Sequence, residues 1–455
     1  MLDVAAIILA AGKGTRMKSD LPKVLHKAAG EPMICHVLHA VSKAGIEKTV
    51  VIIGHGAEQV KKLLGGQVEF ALQAEQLGTG HAVMQTEEVL GSWSGDVLVL
   101  CGDTPLITSG TLKRLVTGHK TAGNTATVLT AILEDPSGYG RIIRGKSGDV
   151  EKIVEQKDAS PEELRVKEIN TGFYCFKARE LYQALREINP VNAQGEYYLT
   201  DVLEIMKRKN WKVGAVTAED SEEILGINNR SQLAQAEKVL RQRVAERHML
   251  AGVTIIDPEA TYIDSGVVIG TDTVIYPGSI LEGDTQIGAG CIIGPNTRIV
   301  NSVLADNVNV QYSVILNAKV GAHTSIGPFA YLRPGTVLRE NVKIGDFVEI
   351  KNSNIGAGSK VPHLSYVGDA DVGEKVNIGA GTITCNYDGY KKSRTIIEDG
   401  AFIGSNTNLV APVRVGKHAF TAAGSTITKD VPSEALSVER AKQVNYPNWA
   451  SRKKD

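Results

Sequence analysis

The sequence predicts two domains of different grammar: an α/β domain with a mostly parallel sheet, then a parallel β-helix. Three observations predict this. From about Val267 an aliphatic residue recurs at every sixth position, usually followed by Gly. Up to about residue 230, continuous apolar runs alternate with helical stretches. A charged stretch of helical period separates the two. The hexads include Val267-Val268-Ile269-Gly270, Ile287-Gly288-Ala289-Gly290, Ile326-Gly327-Pro328-Phe329, Ile378-Gly379-Ala380-Gly381 and Val415-Gly416-Lys417-His418. Such a period builds a solenoid whose flat faces stack inward-pointing Ile, Val and Leu. The Gly or Asn after the aliphatic residue supplies a positive φ or fits a corner where a Cβ would clash.

Val4-Ala5-Ala6-Ile7-Ile8-Leu9 predicts a buried strand, followed by a glycine-rich loop and a helix from roughly Met33. Val50 to Ile53 and Asp96 to Leu100 are further core strands, each ending in Gly or Gly-Asp. Continuous apolar strands between helices mean a sheet covered on both faces. From Asn229 to about Leu250, Leu233, Ala236, Leu240 and Val244 recur at helical spacing among many charges, which predicts a solvent-lapped joining helix. The expected boundaries are 1–229 for the α/β domain, 230–250 for the linker helix and 251–455 for the solenoid domain. The repeats are expected to end near Val431, before a tail rich in Lys and Arg that carries Trp449.

Bulk properties narrow the class. At 455 residues the chain is too long for one core. Fifty basic and 51 acidic residues leave a net charge of -1, which argues against a general nucleic-acid or membrane-surface role. No apolar run approaches the roughly 18 residues that span a bilayer. The start, Met1-Leu2-Asp3-Val4, lacks the basic region of a signal peptide. Cys35, Cys101, Cys175, Cys291 and Cys385 show neither CxxC spacing nor an even framework, so a cytoplasmic, reducing location is expected.

In an open parallel sheet, ligands bind beyond the carboxyl ends of the strands. The first such loop reads Leu9-Ala10-Ala11-Gly12-Lys13-Gly14-Thr15-Arg16-Met17, then Pro22-Lys23, and has neither P-loop nor dinucleotide-fingerprint spacing. Its small residues let backbone N–H groups approach phosphate oxygens, with Arg16 and Lys23 adding charge; an ordinary strand-to-helix turn is the alternative. Asp103, at a strand end, is either a helix cap or a ligand for a divalent cation.

This loop, Gln73-Ala74-Glu75-Gln76-Leu77-Gly78-Thr79-Gly80-His81-Ala82, Gly102-Asp103, Gly138-Tyr139-Gly140-Arg141, Val154-Glu155-Gln156-Lys157-Asp158 and Asn170-Thr171-Gly172 stand in one order. Together they resemble the nucleoside-diphosphate-sugar pyrophosphorylases. The resemblance implies a Rossmann-like nucleotidyltransferase domain. In it a sugar-phosphate oxygen displaces pyrophosphate from the α-phosphorus of a nucleoside triphosphate. It assigns Leu9, Ala10, Ala11, Gly12 and Lys23 to the phosphates, Gln73, Gly78 and Thr79 to the base, and Gly140, Glu155 and Asn170 to the sugar. Asp103 and Asn228 resemble the Mg2+ ligands, Asn228 also belonging to the nucleotide-sugar set. Two protein oxygens suffice, because Mg2+ keeps waters and takes substrate oxygens. Relatives usually carry Tyr before Gly-Asp, where Cys101 stands here.

In the solenoid, the hexads are interrupted around Val361 to Asp369 and around Ile383 to Gly389. Insertions in a solenoid tend to form its binding surface. Arg333, Lys351 and Lys392 are either solvated decoration or an anion site, and His363 is either a satisfied histidine or a base. Arg333-Pro334-Gly335, Val348-Glu349-Ile350-Lys351, His363-Leu364-Ser365-Tyr366-Val367-Gly368-Asp369, Asn377-Ile378-Gly379-Ala380-Gly381 and Thr382-Ile383-Thr384-Cys385-Asn386-Tyr387-Asp388-Gly389 go further. They resemble the acetyltransferase half of the bifunctional bacterial N-acetylglucosamine-1-phosphate uridyltransferase/glucosamine-1-phosphate N-acetyltransferase family, and the resemblance covers essentially the full length. It implies a left-handed parallel β-helix in which His363 takes a proton from the amino sugar, a role suited to imidazole. Arg333, Lys351, Tyr366, Asn377, Asn386 and Lys392 would bind the acetyl acceptor. Ala380, Asn386, Tyr387, Ser405, Ala423 and Arg440 would bind acetyl-CoA, with Asn377 bordering that groove.

The implied enzyme acetylates glucosamine-1-phosphate, then couples N-acetylglucosamine-1-phosphate to UMP from UTP, giving UDP-N-acetylglucosamine for peptidoglycan, hence cell shape, and lipopolysaccharide. A homotrimer is implied by analogy. Three rivals stay open: a monofunctional pyrophosphorylase with a regulatory β-helix, a zinc hydrolyase using His323, His363 and His418, and a non-catalytic scaffold.

Overall fold

A computed structural model describes residues 3–146 and 148–453. The chain forms two compact units, Met1–Leu240 and Arg241–Asp455. The division falls inside the helix Arg230–Leu250, which was expected to be solvent-lapped. Instead each part has an apolar stripe packed into its own unit. Ala236 and Leu240 pack with Met33, Leu106 and Ile227 in the first. Val244 and Ala245 pack with Val253 and Ile255 in the second. Among the described residues no helix is long and apolar enough to cross a membrane.

The first unit is built on a twisted sheet. Its strands lie in the order Val213–Thr217, Ala126–Ile132, Glu168–Lys177, Asp96–Cys101, Val4–Leu9, Lys48–Ile53 and Glu69–Leu72. Val4–Leu9 runs parallel to Lys48–Ile53 and to Asp96–Cys101. Glu168–Lys177 is antiparallel to both neighbours, the one reversal in a mostly parallel path. Alternate residues of each strand enter opposite cores: Ala5, Ile7, Val97 and Val99 on one face, Ala6, Ile8, Leu98 and Leu100 on the other. All eight are fully buried. Each large aliphatic side chain so buried contributes about 1.5–3 kcal/mol. The parallel direction of the central strands brings the loops after Leu9, Ile53, Leu72 and Cys101 out at one edge.

The second unit is a solenoid of three parallel sheets, each strand two to four residues long. Successive coils stack in register, with Ile275 opposite Ile293, then Val310, Ile326, Ile344 and Val361. These side chains are all nearly sealed from solvent, which is why the sequence repeats by sixes. The two roles open to the hexad glycines fall on different positions. The first Gly allows close approach: a Cβ on Gly356 would lie 2.3 Å from Gly373 O, and on Gly379 2.5 Å from Ser405 N. The residue two further on takes the left-handed conformation, as at Gly381, Asn406 and His418. Gly294 and Gly327, each before Pro, have positive φ themselves.

Of the two expected interruptions, one is not an excursion. Lys360–His363 and Tyr366–Gly368 continue the coils, with Val361 and Val367 pointing inward. The segment after Cys385 does leave the solenoid, as a short antiparallel excursion bridged at Tyr387 and Lys392, before Thr395–Ile397 rejoins it. The coils also run past Val431, to a strand at Leu436–Ser437.

Candidate active sites

At the carboxyl edge of the first sheet lies a cavity of about 290 Å³, lined among others by Leu9, Ala10, Ala11, Gly12, Lys23, Gln73, Gly78, Thr79, Cys101 and Asp103. Asp103 follows strand Asp96–Cys101 and does not cap the next helix. That cap is Thr108, whose Oγ1 accepts from Thr111 N at 3.3 Å. The carboxylate instead pairs with Lys23 Nζ. Lys23 Nζ also donates to Asn228 Oδ1 at 3.1 Å, and Arg16 Nη2 donates to the same oxygen at 2.8 Å. Ile227 N donates to Asp103 O at 2.9 Å, tying the two loops together. Two hard oxygens from distant parts of the chain therefore converge on one cationic position. Gly14, at φ 59°, makes room: a Cβ there would lie 2.7 Å from Lys23 Cβ. Ala10 N already donates to Ile52 O at 2.9 Å, so the loop's backbone donors are not uniformly available for phosphate.

The opposite wall is held by an element that sequence reasoning missed. Gln73 Nε2 donates to Gly78 O at 3.0 Å, which folds the segment 73–78 back on itself. Gly78 has φ 110°, and a Cβ there would lie 2.6 Å from Tyr197 O. Tyr197 O accepts from Gly80 N at 2.8 Å, and Leu199 N donates to Thr79 Oγ1 at 3.1 Å. The connection 186–200 thus brings Glu196 to the cavity. Its signal was its length without regular structure, a common mark of a functional loop.

Gly140, Glu155 and Asn170 are neighbours: a Cβ on Gly140 would lie 3.4 Å from Glu155 Oε2 and 3.5 Å from Asn170 Cβ. Asn170 Oδ1 accepts from Tyr174 Oη at 2.9 Å. Glu155 lines a separate cavity of about 210 Å³ with Asp158, Tyr198 and Asp201. Burial, then the charges of Asp158 and Asp201, raise its carboxyl pKa. Cys101 has its thiol pushed up to about 12 by burial and the charge of Asp103. It is a neutral thiol in the cavity wall, not a nucleophile.

In the second unit, adjacent coils place Asp346 opposite His363, and Asp346 Oδ1 lies 2.5 Å from His363 Nδ1. The imidazole is exposed, 56% accessible. Three successive coils bring Lys351, Tyr366 and Asn386 round Asp369, whose side chain is nearly buried. Asp369 Oδ2 accepts from Lys351 Nζ at 3.3 Å and from Asn386 Nδ2, and Oδ1 accepts from Asn352 Nδ2 at 2.6 Å. Burial alone would raise the Asp369 carboxyl, but these three donors outweigh it and the net shift is downward. Asn386 Nδ2 also donates to Tyr366 Oη at 3.4 Å. Lys392 stands beside Lys351, whose ammonium lowers its pKa. Two ammonium groups this close concentrate positive charge on one face of the coil. Arg333 joins through Glu349, Nη1 to Oε1 at 2.8 Å. Asp346, Glu349 and Asp369 were legible only as letters within motifs; their roles come from the stacking of coils.

Asn377 lies in a different sheet from Tyr366, paired with Phe402. Ala380, Ser405 and Ala423 occupy one corner of successive coils. Asn406 N donates to Ala380 O at 2.7 Å, Gly424 N to Ser405 O at 2.8 Å, and Arg440 Nη1 to Ala423 O at 2.8 Å. Tyr387 is exposed on the excursion, its Oη donating to Gly389 O at 2.6 Å. His323 and His418 sit at left-handed corners, their backbone N–H groups bonded to Asp306 O and Asp399 O. Among the described residues neither has a hydrogen bond or ion pair to His363, so a three-histidine zinc site finds no support in this geometry.

The nucleotidyl transferase family matches residues 5–224, the GMPPB C-terminal domain family residues 251–342, and the bacterial transferase hexapeptide family residues 394–429. The hexapeptide match identifies the solenoid as a left-handed β-helix. The bifunctional protein GlmU of Heliobacterium modesticaldum is 58% identical over 448 residues, covering 98% of each chain. Those of Caldanaerobacter subterraneus and Syntrophomonas wolfei are 57% and 54% identical, each covering at least 98% of this chain and of its own. Identity at this level over both units leaves one conclusion: the chain belongs to the family of the bifunctional protein GlmU.

Proposed function

We propose that the cleft of the first unit performs uridylyl transfer and the exposed face around His363 in the second performs acetyl transfer. As a member of its family the chain is a bifunctional enzyme of UDP-N-acetylglucosamine synthesis, acting on nucleotide-sugar and acetyl-CoA substrates. The observation that carries the assignment of sites is that each unit gathers its own cluster from distant segments. Asp103, Lys23 and Asn228 meet in one, and Lys351, Asp369 and Asn386 in the other.

In the first cleft, Lys23 and Arg16 neutralise the triphosphate, the loop 9–12 contacts its oxygens, and Gln73, Gly78 and Thr79 face the base. Gly140, Glu155 and Asn170 hold the sugar of N-acetylglucosamine-1-phosphate. The protein forms no covalent bond; it aligns two polyanions for in-line displacement. The donor set suits Mg2+: a carboxylate and an amide oxygen already share one cation, the Lys23 ammonium. Asp103 and Asn228 would hold the ion, which would supply charge neutralisation at the phosphates.

In the second site, glucosamine-1-phosphate arrives as an ammonium. Lys351, Lys392 and Arg333 hold its phosphate, and Tyr366, Asn386 and Asn377 its sugar. Asp346 occupies Nδ1 of His363, leaving Nε2 as the base. The ammonium gives one proton to solvent; the amine nitrogen then bonds to the acetyl carbonyl carbon while Nε2 takes its second proton, the carbon–sulfur bond breaks, and that proton leaves on the thiol of coenzyme A. Ala380, Ser405, Ala423, Tyr387 and Arg440 form the coenzyme groove, with a homotrimer in the cytoplasm as the working form.

The test is mass spectrometry of reactions with glucosamine-1-phosphate, acetyl-CoA, UTP and Mg2+, each omitted in turn. His363→Ala should abolish release of free coenzyme A and leave uridylyl transfer intact. Retained acetyl transfer would remove His363 as the base. No coenzyme A release by the wild type would leave the β-helix a regulatory module.

A further inference from the structure

The face of the first sheet covered by helix Ser109–Ala122 holds a cluster that no step above uses. Cys175 pairs across the sheet with Thr127 on one side and Leu98 on the other. Asp96, two residues before Leu98, lies diagonally from Cys175 on the same face, and His119 descends on both from the helix. One donor atom from each of Asp96, His119 and Cys175 lies within 4.8 Å of the other two; among the described residues no other trio of metal-ligating side chains is so placed.

His119 is 1% exposed. Its Nδ1 lies 2.9 Å from Thr127 Oγ1, while its buried Nε2 has no hydrogen-bond partner. Nε2 nevertheless faces Asp96 Oδ1 at 3.5 Å. Thr127 Oγ1 accepts from Asn124 Nδ2 at 2.9 Å and has a second lone pair for Nδ1–H; in that tautomer the Nε2 lone pair faces the Asp96 carboxylate, an arrangement that a cation between them would relieve. Lys120 does not fill that place: its Nζ is 3.8 Å from the other oxygen, Asp96 Oδ2. A sulfur completes the set. Imidazole, carboxylate and thiol are the ligands of a borderline-soft cation with tetrahedral habit, whose donor atoms stand about 3.5 Å apart.

We propose that Asp96, His119 and Cys175 bind a zinc-class divalent cation, with a fourth position open towards solvent beside Asp96. The Cys175 S–H proton is released to solvent on binding, and Thr127 orients the imidazole from behind. Asp96 begins the strand whose last residue, Cys101, lines the nucleotide cavity, so the two places lie about 16 Å apart. The ion would therefore pin the helix to two strands rather than take part in either transfer.

The test uses the full-length protein, stripped with chelator, desalted and titrated with ZnCl2 and, separately, CoCl2 in the presence of excess Mg2+. One equivalent of zinc should be retained. The cobalt protein should show a thiolate-to-cobalt charge-transfer band and tetrahedral d–d absorption. Cys175→Ser and His119→Gln should each weaken binding by roughly 100-fold or more and abolish the band, whereas Cys35→Ser should leave both unchanged. If either variant does not fold, the wild-type cobalt spectrum still decides, since no surface site made of oxygens and imidazoles gives that band. Absence of the band, or a band that survives in Cys175→Ser, would overturn the proposal and leave a proton as the cation between His119 and Asp96.

Discussion

Asp346 and His363 stand directly opposite each other on neighbouring coils, the carboxylate bonded to Nδ1 of the imidazole. The pairing is a product of register: a coil one residue longer would turn the carboxylate away. On the proposed function, Asp346 positions His363 and does not touch the reacting atoms. Asp346→Asn should lower kcat of acetyl transfer by roughly 10- to 100-fold, leave KM for acetyl-CoA within about twofold and leave uridylyl transfer unchanged.

The same pair sets a pH dependence. The hydrogen bond from His363 holds the Asp346 carboxyl below the usual range, with the charge of His363 helping. A lowered acid keeps its contribution above the unfolded value, about 3.9, and loses it as pH falls through the folded one. The wild-type to Asp346→Asn activity ratio should hold steady from pH 6 to 9 and fall towards one below about pH 4. A ratio that collapses near neutrality would show that another group is responsible.

Asp103 shares the Lys23 ammonium with Asn228. On the proposed function, removing the carboxylate leaves a cationic pocket without its anchor for a divalent ion. Asp103→Ala should cut nucleotidyl transfer by orders of magnitude, with acetyl transfer intact. Magnesium titration of Asp103→Asn should show saturation displaced to higher concentration.

Asp369 is a nearly buried carboxylate satisfied by Asn352, Lys351 and Asn386. Hydrogen bonds to a charged group are each worth about 1.5–3 kcal/mol. Asp369→Ala should release both Lys351 and Asn386, raising KM for glucosamine-1-phosphate about tenfold or more and lowering the melting temperature of the second unit. Steady-state kinetics and calorimetry on one preparation separate the two effects.

Gly356 faces backbone of the next coil, where a Cβ would lie 2.3 Å from Gly373 O. Gly356→Ala should destabilise the second unit by about 1–3 kcal/mol, as overpacking does, and leave the first transition in a melting curve in place. An unchanged melt would mean that the coils separate without cost.

The solenoid was legible because each coil obeys a local rule: an inward aliphatic residue, then a glycine where the next coil passes close. The hexad said nothing of which glycine does which work, since Gly356 and Gly381 look alike as letters. The segment 361–369 read as an interruption because His363 and Tyr366 are polar or aromatic. Their side chains face outward, however, while Val361 and Val367 keep the inward rhythm. Glu196 was invisible for another reason: no recognisable motif surrounds it in the chain, and the hydrogen bonds at Thr79 and Tyr197 carry it to the cavity.

By itself the amino-acid order determined the two architectures, the motifs and, through them, the family, because periodicity and short loops are properties of neighbouring residues. Tertiary structure alone decided which charges meet: Lys23 with Asp103 and Asn228, Asp346 with His363, and His119 with Asp96 and Cys175. Those meetings depend on strand order and coil register. Both are set by the burial of apolar side chains far from the groups they bring together.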